Sequence, residues 1–216
     1  ALDLTGTTVS ATVKGGSQPG GNITLTAPTV TIAGGSVTAE TAGAGNAGDV
    51  TVNATSIGLQ GGAQLSTSSR GAGKGGPIVV QGLTGAGSQA ASLTITGAGS
   101  GLFSTTSATG AGGSIMANAN QITISNSGTV SAASTGSGNA GNITVNAGNQ
   151  LVMQNSSITT QAAQASGGDI TVTAADMLQL TNSKITTSVQ GPAGSNGGNI
   201  TIDPQYVILQ GSQIIA

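Results

Sequence analysis

The stretch Gly138-Asn139-Ala140-Gly141-Asn142-Ile143-Thr144-Val145-Asn146-Ala147 decides the fold, because its centre returns along the whole chain. The motif G-[ND]-[IV]-T-[VLI] stands at Gly21–Leu25, Gly48–Val52, Gly141–Val145, Gly168–Val172 and Gly198–Ile202. Two looser copies, Gly76-Pro77-Ile78-Val79-Val80 and Gly113-Ser114-Ile115-Met116-Ala117, complete the series. The leading glycines fall at 21, 48, 76, 113, 141, 168 and 198, in steps of 27, 28, 37, 28, 27 and 30. A repeat of this length is one supersecondary unit that cannot bury its own apolar face and must stack on its neighbours.

Each unit carries three short runs in which apolar and polar residues alternate, the signature of strands with one buried face. In the fifth unit Ile143 and Val145 point one way, Leu151 and Met153 follow a short corner, and Ile158 and Thr160 follow a second corner at 154–157. The equivalent inward pairs are Val30/Ile32 and Val37/Ala39 in the first unit, Ile122/Ile124 and Val130/Ala132 in the fourth, and Leu178/Leu180 and Ile185/Thr187 in the sixth. Winding the unit into a coil stacks these side chains into columns, with backbone hydrogen bonds along the axis about every 4.8 Å and a rod on the order of 35 Å long. The expected fold is all-β. It is a right-handed, single-stranded parallel β-helix, or β-solenoid, of about seven coils of 27–30 residues with three strands per coil, the hand following from parallel crossover.

The corners carry their own signal. One position in the second corner reads Gly34, Gly61, Asn126, Asn155, Asn182 and Gly211 down the stack, and Gly and Asn tolerate the left-handed backbone region, so this column marks a sharp bend. Its asparagines are also candidates for an amide ladder along the axis. The first corner repeats a small residue, Ala27, Ala54, Ala119, Ala147 and Ala174, with Pro204 in the last copy. The third corner reads as the loose one, a mobile Gly-rich ridge at 43–47, 70–75, 136–140 and 191–197.

Composition narrows the function classes. Charged residues are 5% of the 216 and aromatics 1%, yet Val, Ile and Leu recur at fixed spacing, which argues against disorder. No stretch approaches the roughly 20 apolar residues of a membrane span. The cations are Lys14, Arg70, Lys74 and Lys184, too few and too dispersed to track phosphates, so nucleic acid is not an expected partner. Without Cys or His the chain lacks disulfides, thiolate nucleophiles and the commonest catalytic base and metal ligand.

The motifs that imitate chemistry read as consequences of the repeat. The glycine loops at 43–48 and 136–141 fit GxGxxG, but each precedes a strand where phosphate binding needs a helix N-terminus. In the loop at 71–76, Gly75 follows Lys74 where a magnesium-holding hydroxyl would stand. Asp49 and Asp169 lack the nine-residue spacing of calcium-binding repeats and, with Asn22, Asn142 and Asn199, read as satisfying backbone donors at strand starts. Asn22, Asn142 and Asn199 also begin glycosylation sequons that the repeat itself generates. Six acids, of which Asp169, Asp176 and Asp203 form at most a loose group, give little basis for a polysaccharide-degrading enzyme. An ice-binding threonine array is interrupted. Its first column reads Thr24, Thr51, Val79, Met116, Thr144, Thr171, Thr201 and its second Thr26, Asn53, Gln81, Asn118, Asn146, Thr173, Asp203. No catalytic residue, metal site or cofactor is expected.

The third unit departs from the pattern. It spends about eight extra residues, and 82–91 reads as an excursion from the first corner. Such insertions are where repeat proteins place specificity, so Leu83, Thr84, Ser88 and Gln89 are the candidate ligand or partner contacts. Phe103 reads as a core filler. Residues 1–19 form a partial coil and the chain stops inside a third strand, so 1–216 reads as one solenoid cut from a longer repeat protein, with further coils, or copies, stacking at its ends.

The repeat at 138–147, together with the closing Gly-Gly-Asn-Ile-Thr-Ile-Asp-Pro-Gln-Tyr-Val-Ile-Leu-Gln-Gly-Ser-Gln-Ile-Ile-Ala at 197–216, resembles the filamentous haemagglutinin-like exoproteins of two-partner secretion systems. The likeness spans nearly the whole chain and is specific to repeat type. It implies export through an outer-membrane transporter and an extracellular or bacterial cell-surface adhesin. The NPNG- and NPNL-type motifs of that family's secretion domain are missing, since no Asn-Pro occurs, so no binding residue is carried over. The expected function is a non-catalytic structural shaft of an adhesin or extracellular filament. The alternative is a module that binds host or environmental glycans through the insertion.

Overall fold

The structure, a computed structural model, describes residues 1–191 and 195–216. It is an all-β parallel solenoid of about eight turns without a helix among the described residues. The seven coils that begin at the repeat glycines are preceded by the partial coil, whose strands Leu2–Thr5 and Thr8–Val13 add a rung. The third strands of all coils form one 8-stranded parallel sheet, and the first and second strands share an 11-stranded sheet.

Register follows the inward columns. Val30, Ile57, Leu93, Ile122, Leu151, Leu178 and Val207 align on consecutive second strands. On the third strands the column runs Val9, Val37, Leu65, Leu102, Val130, Ile158, Ile185 and Ile214. Members from coils 1 to 6 are at most 2% exposed. A slip of one residue would turn every one of these side chains outward, so the apolar columns fix the register.

The first corner departs from expectation. In coils 1 to 3 the first and second strands are separate, at Ile23–Thr26 and Thr29–Ala33, Val50–Asn53 and Ser56–Gln60, and Ile78–Gln81 and Ala90–Thr96. In coils 4 to 7 they merge into single strands, Ile115–Ser125, Ile143–Gln154, Ile170–Thr181 and Ile200–Gln210. The corner survives there only as a register shift, at Ala119/Gln121 and Ala174/Met177, so Asp176 lies inside a strand. Buried Ala119, Ala147 and Ala174 stand at this bend, and Ala27 and Ala54 hold the same position in coils 1 and 2, where the strands stay separate.

The bend column lies in the left-handed region at every position, with φ of +63° at Gly34, +62° at Gly61, +53° at Asn126, +48° at Asn155, +49° at Asn182 and +58° at Gly211. The stack at this edge is carried by the main chain. Asn126, Asn155 and Asn182 donate their N–H groups to the carbonyls of Gln154, Thr181 and Gln210 in the next coil at 3.0, 2.9 and 2.8 Å. The side chain of Asn126 turns instead to Thr96 Oγ1, at 3.2 Å.

The Gly-rich ridge is bonded rather than loose. Gly20, Ala47, Gly75, Gly112, Ala140 and Gly167 donate in succession to the carbonyls of Asn46, Lys74, Ala111, Asn139, Ser166 and Asn196, at 2.7–3.0 Å, linking the partial coil to coil 6. Residues 192–194 of the expected ridge lie outside the described residues. Its glycines are required by proximity. A Cβ on Gly48, Gly76, Gly113, Gly141, Gly168 or Gly198 would run into the carbonyl oxygen of the leading glycine one coil earlier. The glycine that opens each repeat is therefore where two coils meet backbone to backbone. Inward hydroxyls tie the ridge to the third strands: Thr67, Thr160 and Thr187 donate to the carbonyls of Gly76, Gly168 and Gly198 at 2.6, 2.6 and 2.9 Å.

Candidate functional site

The third-coil insertion is a small closed loop. After Gln81 the chain leaves the sheet and returns through three backbone bonds, Gly82 N–H to Ser88 O, Gly85 N–H to Gly82 O and Ser88 N–H to Gly85 O, each 3.0 Å. Gly85 and Gly87, at φ +87° and +81°, make the turns. The side-chain amide of Asn118, in coil 4, donates to Ser88 O at 2.9 Å and pins the loop to the following coil. The excursion covers 82–89 only. Ala90 and Ala91 already belong to the second strand, where fully buried Ala90 pairs with Ala119 and supplies the first-corner alanine of this coil.

Of the four candidate contacts, Leu83, Thr84 and Gln89 are exposed and Ser88 is half-buried. Leu83, 38% exposed, is the one large exposed hydrophobic before the final coil among the described residues. The carboxamide oxygen of Gln89 lies over Gly148 of coil 5, beside Asn120 of coil 4, in the place a Cβ on Gly148 would take. The four residues thus share one loop that reaches across two further coils, an extension the spacing did not disclose.

The motifs that imitate chemistry resolve into structure. Strands Val50–Asn53 and Ile143–Gln154 follow the two GxGxxG loops. The Asx residues at strand starts do satisfy backbone donors, and these belong to the next coil. Asn22 Oδ1 accepts from Asp49 N–H at 2.9 Å, Asn142 Oδ1 from Asp169 N–H at 2.9 Å, and Asp169 Oδ1 from Asn199 N–H at 2.8 Å. Pro77, with no N–H, stops this ladder after Asp49. Among the described residues no group of three His, Cys, Asp or Glu side chains is placed to hold a metal, so Asp169, Asp176 and Asp203 do not converge as one.

On the outward face of the first strands, polar side chains bond along the axis. Asn53 Nδ2 donates to Thr26 Oγ1 at 3.3 Å, Gln81 Nε2 to Asn53 Oδ1 at 2.9 Å and Thr173 Oγ1 to Asn146 Oδ1 at 3.0 Å. The side-chain ladders expected at the bend column are here and at the strand starts. Phe103 is not a core filler. Leu102 takes the inward position between Leu65 and Val130, alternation turns Phe103 outward, and its ring covers Gly101.

Among the described residues no helix is long and apolar enough to cross a membrane. No protein family, curated protein or solved structure matches the chain. The class that the structure defines is the parallel β-solenoid.

Proposed function

We propose that this chain is a structural shaft of a bacterial surface or secreted adhesin, or of an extracellular filament, holding a binding part at a distance. The observation that carries this reading is the uninterrupted third-strand sheet, in which all eight rungs keep one register from Thr8–Val13 to Gln213–Ile215. Stacked rungs about 4.8 Å apart make a rod whose length scales with coil number and whose interior is independent of what its surface meets. The repeat's resemblance to two-partner secretion exoproteins supports export through an outer-membrane transporter and a place outside the cell.

The test is excision of one whole coil, residues 141–167, which rejoins equivalent positions. A shaft keeps its adhesion and shortens by about 4.8 Å in solution scattering. Loss of adhesion by a folded, surface-displayed variant overturns the reading. A second reading, glycan binding by the insertion, is favoured by the fixing of its loop through Asn118. Deletion of 83–89, which spares buried Ala90, with the fold intact and adhesion lost selects it over the shaft.

A further inference from the structure

The second corner changes length along the axis. By register, two residues span it in the partial coil (6–7) and in coil 1 (34–35), three in coil 2 (61–63), four in coil 3 (97–100) and three in coil 4 (126–128). It returns to two in coil 5 (155–156) and coil 6 (182–183). Coil 4 fits its extra residue through Ser127, whose φ of +69° follows +53° at Asn126. Among the described residues Ser127 alone is left-handed without being Gly or Asn, an arrangement that costs about 1–2 kcal/mol. The Ser127 N–H holds the shelf to the next coil by donating to Asn155 O at 2.7 Å.

A shallow, open cleft of about 360 Å³ lies at the step from three residues to two, lined by Ser127, Thr129, Asn155, Ser156, Ser157, Asn182 and Lys184. Thr129, Ser157 and Lys184 are equivalent positions on three consecutive rungs, and their neighbours Val130, Ile158 and Ile185 are the inward column, so all three face out. Lys184 is exposed, and the ion pair among the described residues is Arg70 with Glu40, so the Lys184 ammonium has no protein carboxylate. No acid lines the cleft.

One unpaired cation at the end of a row of hydroxyls and amides is complementary to a polyhydroxylated ligand that carries a carboxylate. A bare anion would use only the lysine. The row advances about 4.8 Å per rung, close to the length of one pyranose unit, so a chain of sugars along the axis meets a new polar group at each step. We propose that this cleft binds an acidic polysaccharide of the hexuronate class. The Lys184 ammonium pairs with one uronate carboxylate, while the hydroxyls of Ser127, Thr129 and Ser157 and the amides of Asn155 and Asn182 take ring hydroxyls. The site is on a different edge from the insertion and does not depend on it.

The test titrates the intact chain with hexagalacturonate and hexamannuronate, with maltohexaose and acetate as neutral and small-anion probes, following amide shifts by NMR. Saturable binding of at least one uronate is expected, with shifts confined to the second corner of coils 4 to 6. Lys184→Gln weakens it on the order of tenfold, Lys184→Arg retains it, and Lys74→Gln, on another edge, leaves it unchanged. The proposal is overturned if neither uronate binds, if Lys184→Gln binds as the parent does, or if Lys74→Gln weakens binding equally, which marks diffuse charge attraction. Displacement by acetate at equal carboxylate concentration also overturns it, reducing the cleft to a plain anion site. Lys184 is exposed, so unfolding midpoints of its variants match the parent, and any of these outcomes leaves the shaft reading to its own test.

Discussion

At the scale of the residue, two kinds of glycine must be separated. Gly168 sits under the carbonyl of Gly141, and a methyl group there has no space because the obstacle is backbone on both sides. Gly58, in the strand Ser56–Gln60, has nothing within 4 Å of the place its Cβ would occupy, and its φ is not left-handed. Gly168→Ala therefore destabilises by about 1–3 kcal/mol, through overpacking between coils. Gly58→Ala is neutral or stabilising by up to about 1 kcal/mol, because it removes freedom from the unfolded chain at no steric cost. Urea unfolding midpoints of the two variants measure the difference. Equal effects would show that the leading glycines are not set by close approach of coils.

At the scale of the element, the third corner shows how a chain with few charges secures a glycine loop. The third strand sends a hydroxyl inward where the apolar column gives out, and the hydroxyl closes on the leading glycine's carbonyl of the next coil, as Thr160 does to Gly168 at 2.6 Å. Coils 1 and 4 carry Ala39 and Ala132 at this position, so the device is local to the coils that have Thr. Thr160→Val keeps the volume but leaves a buried carbonyl without its partner, at a cost of about 1–3 kcal/mol, and speeds amide exchange in the corner that follows. An unchanged unfolding midpoint would mean that the hydrogen bond adds nothing. The ion pair of exposed Arg70 with half-buried Glu40, by contrast, contributes about 1 kcal/mol.

At the scale of the whole molecule, apart from the third-coil loop, whose Gln89 reaches coil 5, each rung packs on its neighbours, so stability is close to a sum of coil and interface terms. In coil 7, Val207 and Leu209 are 48% and 47% exposed, while Leu178 and Leu180, the same columns one coil earlier, are fully buried. Opening of that last rung costs less than global unfolding. Native-state hydrogen exchange therefore runs as a gradient, fast over 200–216 and slowest in coils 3 to 5. Uniform protection along the axis would overturn the nearest-neighbour picture.

The strands, their inward faces and the sharp bend are legible in the chain alone. Alternation such as Ile143/Val145 and the backbone tolerance of Asn126, Asn155 and Asn182 belong to residues and their neighbours in the chain, so they are legible locally. The chain alone also marks the third coil as the one with an insertion, and Leu83, Thr84, Ser88 and Gln89 as lying on it. Stacking of the coils set the rest: first and second strands merge from coil 4 onward, Phe103 faces out, the ridge is tied down and Gln89 reaches coil 5. The cleft beside Lys184 is of the same kind. Each of these depends on what lies one rung away or, for Gln89 over Gly148, two rungs away, some 27 to 59 residues distant in sequence. A contact between coils has no signature in the spacing of either partner, because it exists only once stacking has brought two backbones within bonding distance.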